Sequence, residues 1–197
     1  MPSNPPGVGD VLDVAILVAR ALTSVRADYF VRGSVASSLQ GEPRATNDVD
    51  IVTSLAANRV GTFAKALGDD FEVDEEMLAE ALRRASCANI FYLPWVTKVD
   101  LFWLGTTPFD ESEFGRRSEV QVKATGETLF VKSAEDTVLR KLLWYREGGE
   151  VSEKQWRDIV EVLRVSGLKL SVAYLDAWAG RLAVTDLLTR ARGDLTL

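Results

Sequence analysis

Two hydrophobic periods run along this chain, and their succession predicts a sheet bearing helices followed by helices alone. Apolar residues recur every three to four positions from about residue 11 to 26, which predicts a helix, and a short apolar run over 28–32 predicts a strand. A helix over 34–40 and a strand over 48–53 follow. Leu55 to Leu67 reads as helical, and Asp74 to Ala85 as a further helix with Asp74 as its N-terminal cap. Ala88 to Leu93 and Lys98 to Leu104 predict an antiparallel pair around Pro94-Trp95, and 119–123 with 128–131 a second pair around 124–127. From Ser133 onward the period is helical, with starts at Ser133, Ser152 and Ser171 and a stop near Gly167. The expected fold class is α/β (α+β): a central mixed sheet with flanking helices, in which strands 48–53 and 98–104 are neighbours. A boundary near residue 132 divides a sheet domain, 1–132, from a C-terminal helical subdomain, 133–197.

The chemistry concentrates in two stretches of the first half, Val31-Arg32-Gly33-Ser34 and Arg44-Ala45-Thr46-Asn47-Asp48-Val49-Asp50-Ile51. Gly33-Ser34 falls between a predicted strand and a predicted helix. At a helix start the free backbone N–H groups and the positive end of the dipole attract phosphate, glycine lets the backbone approach closely, and serine adds a hydroxyl. In a strand beginning at Asp48, residues i and i+2 share a face, so Asp48 and Asp50 project together while Val49, Ile51 and Val52 secure the strand in the core. Paired carboxylates repel, and a Mg²⁺ ion, which prefers carboxylate and phosphate oxygens, is the natural remedy. A lone Asp-x-Asp also fits an exposed strand end, and a lone Gly-Ser fits an ordinary turn. Asp100 supplies a third carboxylate, the single charge in the apolar run Val99 to Leu104; such a group sits at a solvated strand end or faces a metal. The combination points to phosphoryl or nucleotidyl transfer.

The order Gly-Ser, helix, Asp-x-Asp and a later lone Asp in a strand resembles the polymerase-beta-type nucleotidyltransferase superfamily. The form Gly33-Ser34, Arg44-x-Thr46-x-Asp48-x-Asp50 resembles its AbiEii-like, minimal-nucleotidyltransferase branch. Ser133-Ala134-Glu135-Asp136-Thr137-Val138-Leu139-Arg140-Lys141-Leu142, then Gln155-Trp156-Arg157-Asp158-Ile159, are similar to that branch's C-terminal signature. The likeness spans about residues 29 to 163. It implies a polymerase-beta-like catalytic domain over 1–132 that moves an NMP from a Mg-bound NTP to a hydroxyl, releasing pyrophosphate. Asp48, Asp50 and Asp100 would hold two magnesium ions, with Asp100 helping to activate the attacking hydroxyl. Gly33 and Ser34 would hold the β- and γ-phosphates, and Lys141 would reach the triphosphate or the acceptor. Arg44 either contacts phosphate or pairs with Glu42 or Asp48; Asp158 either belongs to the signature or pairs with Lys154 or Arg157. The resemblance leaves the acceptor open among a tRNA 3′ end, a protein side chain and a small molecule. It also admits a toxin with an antitoxin-type protein partner, or an inactive binding or NTP-sensing module.

Composition narrows the rest. The 197 residues include no histidine, so imidazole bases and His-containing triads are excluded, and Cys87 is the sole cysteine, so cysteine-cluster sites are excluded too. Cys87 reads as a semi-buried thiol. A formal net charge of −6 argues against gripping extended duplex nucleic acid, which draws its affinity from a basic excess. The basic pairs Arg83-Arg84 and Arg116-Arg117 read as solvated faces. Val11 to Leu22 is apolar but carries Asp13 and Arg20, which fits an amphipathic helix rather than a signal peptide or membrane span, and the expected address is cytoplasmic. Trp144, Tyr145, Trp156 and Trp178 read as helix packing ahead of base stacking.

Overall fold

The computed structural model describes residues 8–40, 46–122 and 125–196, which divide between two compact units, Met1–Lys132 and Ser133–Leu197. Arg44 lies outside the described residues. In the first unit α1 (Val8–Ser24) leads into β1 (Tyr29–Arg32), α2 (Gly33–Gln40) and β2 (Asp48–Thr53). A 3₁₀ turn, Ala57–Arg59, precedes α3 (Val60–Leu67), so the helix expected from Leu55 is shorter than its apolar pattern. Then follow β3 (Phe71–Glu72), α4 (Glu75–Arg83), β4 (Cys87–Tyr92), β5 (Thr97–Trp103), α5 (Pro108–Gly115), β6 (Ser118–Gln121) and β7 (Thr128–Val131). Asp74 caps α4 as expected, its carboxylate accepting from the Met77 N–H at 2.8 Å.

The strands form one seven-stranded mixed sheet in the order β3-β4-β5-β2-β1-β7-β6. β2 pairs parallel with β5 and antiparallel with β1, and β1 pairs parallel with β7. Alternation decides what each face does. Tyr29, Val31, Val49, Ile51, Ala88, Ile90, Val99 and Leu101 point one way and are buried in one apolar core with residues of α1, α3 and α4. Their neighbours along the same strands point the other way, so Asp48, Asp50, Lys98 and Asp100 share the second face. That face is where the polar chemistry collects.

Two elements escape the hydrophobic pattern. β3 has only two residues, too few to show a period. α5 carries no apolar stripe, and forms because Thr107 and Asp110 make a reciprocal capping box with Pro108 at the first turn. Phe114 of α5 packs on Phe30 of β1 with ring centres 5.8 Å apart. Beside it Glu113 forms a buried ion pair with Lys132 just beyond β7.

The second unit is helical: α6 (Ala134–Glu147), α7 (Glu153–Ser166), α8 (Val172–Arg181) and α9 (Thr185–Gly193). Ser133, Ser152 and Ser171 cap the first three, each side chain accepting a backbone N–H three residues on. The first turn of α6 also reaches α8: Glu135 accepts from the Ser171 N–H at 2.8 Å, and Asp136 accepts from the Tyr174 hydroxyl at 2.6 Å. Tyr145, Trp156 and Trp178 are buried, whereas Trp144 is exposed. No helix among the described residues is long and apolar enough to cross a membrane.

The Lys132–Glu113 pair generates a test of the fold. Glu113→Ala is expected to lower the unfolding free energy in urea by about 3–5 kcal/mol, because it removes the carboxylate paired with a buried ammonium, whereas Glu113→Leu combined with Lys132→Met should recover most of that loss. A single-variant cost below about 1 kcal/mol would place the pair outside the set of stability determinants.

Candidate functional site

Register builds the site. Asp50 of β2 is the Cα partner of Asp100 of β5 and, across its other side, of Arg32 of β1; Asp100 is in turn the partner of Asn89 of β4. A row of four polar residues therefore crosses four adjacent strands: Asn89, Asp100, Asp50, Arg32. The next row outward on the same face is Phe91, Lys98 and Asp48. Like charges on neighbouring strands destabilise a sheet unless something intervenes. Here the chain's own cations do so.

Lys98 Nζ stands 2.9 Å from Asp100 Oδ2, and this hydrogen bond holds its ammonium above the ordinary lysine value. The Arg32 guanidinium lies over the Phe102 ring, 3.6 Å from its centre. Burial pushes the Asp50 carboxyl above its usual range; Arg32 pulls it back, and the Asp100 and Asp48 carboxylates push it further up. Asp48 is exposed at the start of β2, where Thr46 Oγ1 accepts from its N–H at 3.3 Å.

The turn after β1 shapes the other wall. Gly33 opens α2 with φ +69°, and a Cβ built there would lie 2.2 Å from Asp50 Oδ2. Both the backbone angle and the close approach of the carboxylate demand glycine. Ser34 follows in the first turn of α2.

Asp48, Asp50 and Asp100 are the side chains that could hold a divalent ion. Their oxygens suit magnesium, and Asp100 Oδ1 is buried with no hydrogen-bond partner among the described residues, so one acceptor is left over. The carboxylates are not gathered into a finished cage: among the described residues no three histidine, cysteine, aspartate or glutamate side chains converge as metal ligands do. The ammonium on Asp100 occupies part of that ground.

Five residues singled out from sequence, Gly33, Ser34, Asp48, Asp50 and Asp100, thus fall on one turn and two paired strands of the first unit. Lys141 belongs to the helical unit, on α6, where it pairs with Asp158 of α7 at 3.1 Å; Asp158 thereby has a partner on another helix. Cys87 is exposed at the start of β4, where it was expected to be semi-buried, because its alternation places it on the polar face. Sequence reasoning missed Lys98, Arg32 and Asn89. The signal for Lys98 was the same period of two that united Asp48 with Asp50: it stands two residues before Asp100.

Comparison with solved structures bears on the fold. The crystal structure of an antigenic nucleotidyltransferase-like protein from Paracoccidioides brasiliensis is similar over 98% of this chain and 93% of that one, with a TM-score of 0.57 and 20% identity. The solution structure of the antibiotic-resistance factor ANT(2'')-Ia matches over 94% of this chain and 98% of that one at a TM-score of 0.49 and 11% identity. No family model and no curated protein matches the sequence. The first likeness shows a nucleotidyltransferase-like fold, the mixed sheet with flanking helices that the sequence pattern predicts.

The Gly33–Asp50 contact is testable by substitution. Gly33→Ala should destabilise the chain by about 1–3 kcal/mol in chemical denaturation, through its positive φ and its clash with the carboxylate. In an Asp50→Ala background the clash is gone, and the cost should fall to about 1 kcal/mol for the backbone angle alone. An equal cost in both backgrounds would show that the carboxylate does not press on Gly33.

Proposed function

We propose that this chain is a nucleotidyltransferase that moves a nucleoside monophosphate from a magnesium-bound nucleoside triphosphate to a hydroxyl acceptor. One observation carries the reading: the register that sets Asp50 beside Asp100 and Asp48 on the same face, against the Gly33-Ser34 turn. Asp48, Asp50 and Asp100 would hold the magnesium. When bound, magnesium neutralises charge on the triphosphate and the carboxylates during an in-line displacement. The Gly33 and Ser34 backbone at the start of α2 binds phosphate oxygens, where the N–H groups and helix dipole favour an anion. Asp100 accepts the proton of the attacking hydroxyl as the new bond to the α-phosphorus forms and the bond to pyrophosphate breaks. The resemblance assigns Lys141 a contact with the triphosphate or the acceptor.

The finer assignment, the AbiEii-like branch with a toxin role and an antitoxin-type partner, rests on the Gly33-Ser34, Asp48-x-Asp50 and C-terminal motifs alone. A second reading, a noncatalytic nucleotide-binding module, is favoured by the ammonium of Lys98 seated on Asp100. The two readings differ in whether pyrophosphate is released.

Incubation with each of the four α-phosphate-labelled NTPs, Mg²⁺ and a cell lysate is expected to label an acceptor with wild-type protein. Asp50→Asn should drop the label to background without lowering the melting temperature, since it removes a metal ligand and no core volume. Sensitivity of the product to nuclease or protease names the acceptor class. A folded wild-type protein that transfers label from no NTP would support the noncatalytic reading. In a separate titration, Lys141→Ala should weaken NTP binding by roughly tenfold while costing no more than about 1 kcal/mol of stability, the scale of one partly exposed ion pair. The reverse pattern would make Lys141 a purely structural partner of Asp158.

A further inference from the structure

Among the described residues Lys98 and Arg32 bring to the polar face the positive charge that a divalent ion would supply, and Lys98 is the one seated on Asp100. Lys98 stands two residues before Asp100 on β5, so the two side chains share a face, and its Cα partner on β2 is Asp48. Its ammonium is 2.9 Å from Asp100 Oδ2, with side-chain exposures of 36% for Lys98 and 15% for Asp100. The other oxygen, Oδ1, is buried and has no hydrogen-bond partner among the described residues. The lysine pair therefore uses only half of this carboxylate.

We propose that Lys98 is a resident counter-ion that a divalent cation must displace from Asp100, so that the chain binds the free metal weakly and takes it up with a phosphate-bearing ligand. The inference rests on the metal reading of Asp48, Asp50 and Asp100. Two cations competing for one carboxylate oppose each other by charge alone. An ammonium on a flexible four-carbon stem is a mobile point charge, able to leave Asp100 without any movement of the strand. Arg32 has less freedom, since its guanidinium is stacked on Phe102. A triphosphate favours the exchange because it brings negative charge to which the released ammonium can turn. The device keeps three carboxylates together before any metal arrives and makes loading depend on nucleotide.

The test is Mn²⁺ binding by the full chain without nucleotide, read from the electron paramagnetic resonance of the free ion, for wild type, Lys98→Gln, Lys98→Arg and Asp50→Asn. Lys98→Gln should bind Mn²⁺ about tenfold more tightly, and Lys98→Arg, which keeps the charge, should stay within about twofold of wild type. Lys98→Ala gives the same reading should the glutamine variant fail to fold. If Asp50→Asn weakens binding while Lys98→Gln leaves it unchanged or weaker, the counter-ion role is overturned and the metal site stands. If Asp50→Asn leaves binding unchanged, the metal reading itself is overturned, and this inference with it.

Discussion

The parallel pairing of β2 with β5 is the constraint on which the rest of the site depends. Parallel neighbours cannot be joined by a tight turn, and between Thr53 and Thr97 the chain runs through α3, β3, α4 and β4 before it returns. What fixes the register after so long an excursion is the buried side of the two strands. Val49 and Ile51 on one, and Val99 and Leu101 on the other, are all inaccessible to solvent. A slip of either strand by one residue would turn its two apolar residues out of the core and its carboxylates into it. The apposition of Asp50 and Asp100 is thus enforced by hydrophobic burial on the opposite face, and the repulsion between them is a cost that the core offsets.

That cost is also reduced locally. Arg32 and Lys98 flank the carboxylates from β1 and β5, and Gly33 gives up its side chain so that the Asp50 carboxylate can lie against the backbone. These are the places where ordinary sheet rules fail: adjacent like charges, a positive φ and a buried oxygen without a partner. Such departures gather where a fold carries function, because nothing in stability alone asks for them.

Much of this was legible in the sequence, for reasons that can be assigned. The central strands alternate cleanly, so their faces follow from period, while the neighbourhood of 48–53 and 98–104 was expected from the shared carboxylate chemistry of Asp48, Asp50 and Asp100. Ser133, Ser152 and Ser171 announce helix starts because a serine cap is a local hydrogen bond that needs no tertiary partner. α5 was missed because its signal lies in the Thr107–Asp110 capping box and not in a hydrophobic stripe. β3 was missed because two residues form a strand only when Phe71 and Glu72 find Tyr92 and Phe91 of β4. Lys98 and Arg32 were missed for another reason: their importance is a cross-strand relation, set by which strands become neighbours. The grouping of Gly33, Ser34, Asp48, Asp50 and Asp100 could be anticipated from spacing, whereas the cations that make it tolerable could not.

The sheet is finished at both borders by short strands, two residues in β3 and four in β6, with the longer β4, β5 and β2 inside. An open border is a template for another chain's backbone, and these borders offer little length for it. Extending the sheet is therefore a poor way for a macromolecule to dock on this chain. A macromolecule that docks on this chain would be gripped through side chains and helix surfaces, a mode of attachment that reads chemical groups and leaves backbone conformation unread.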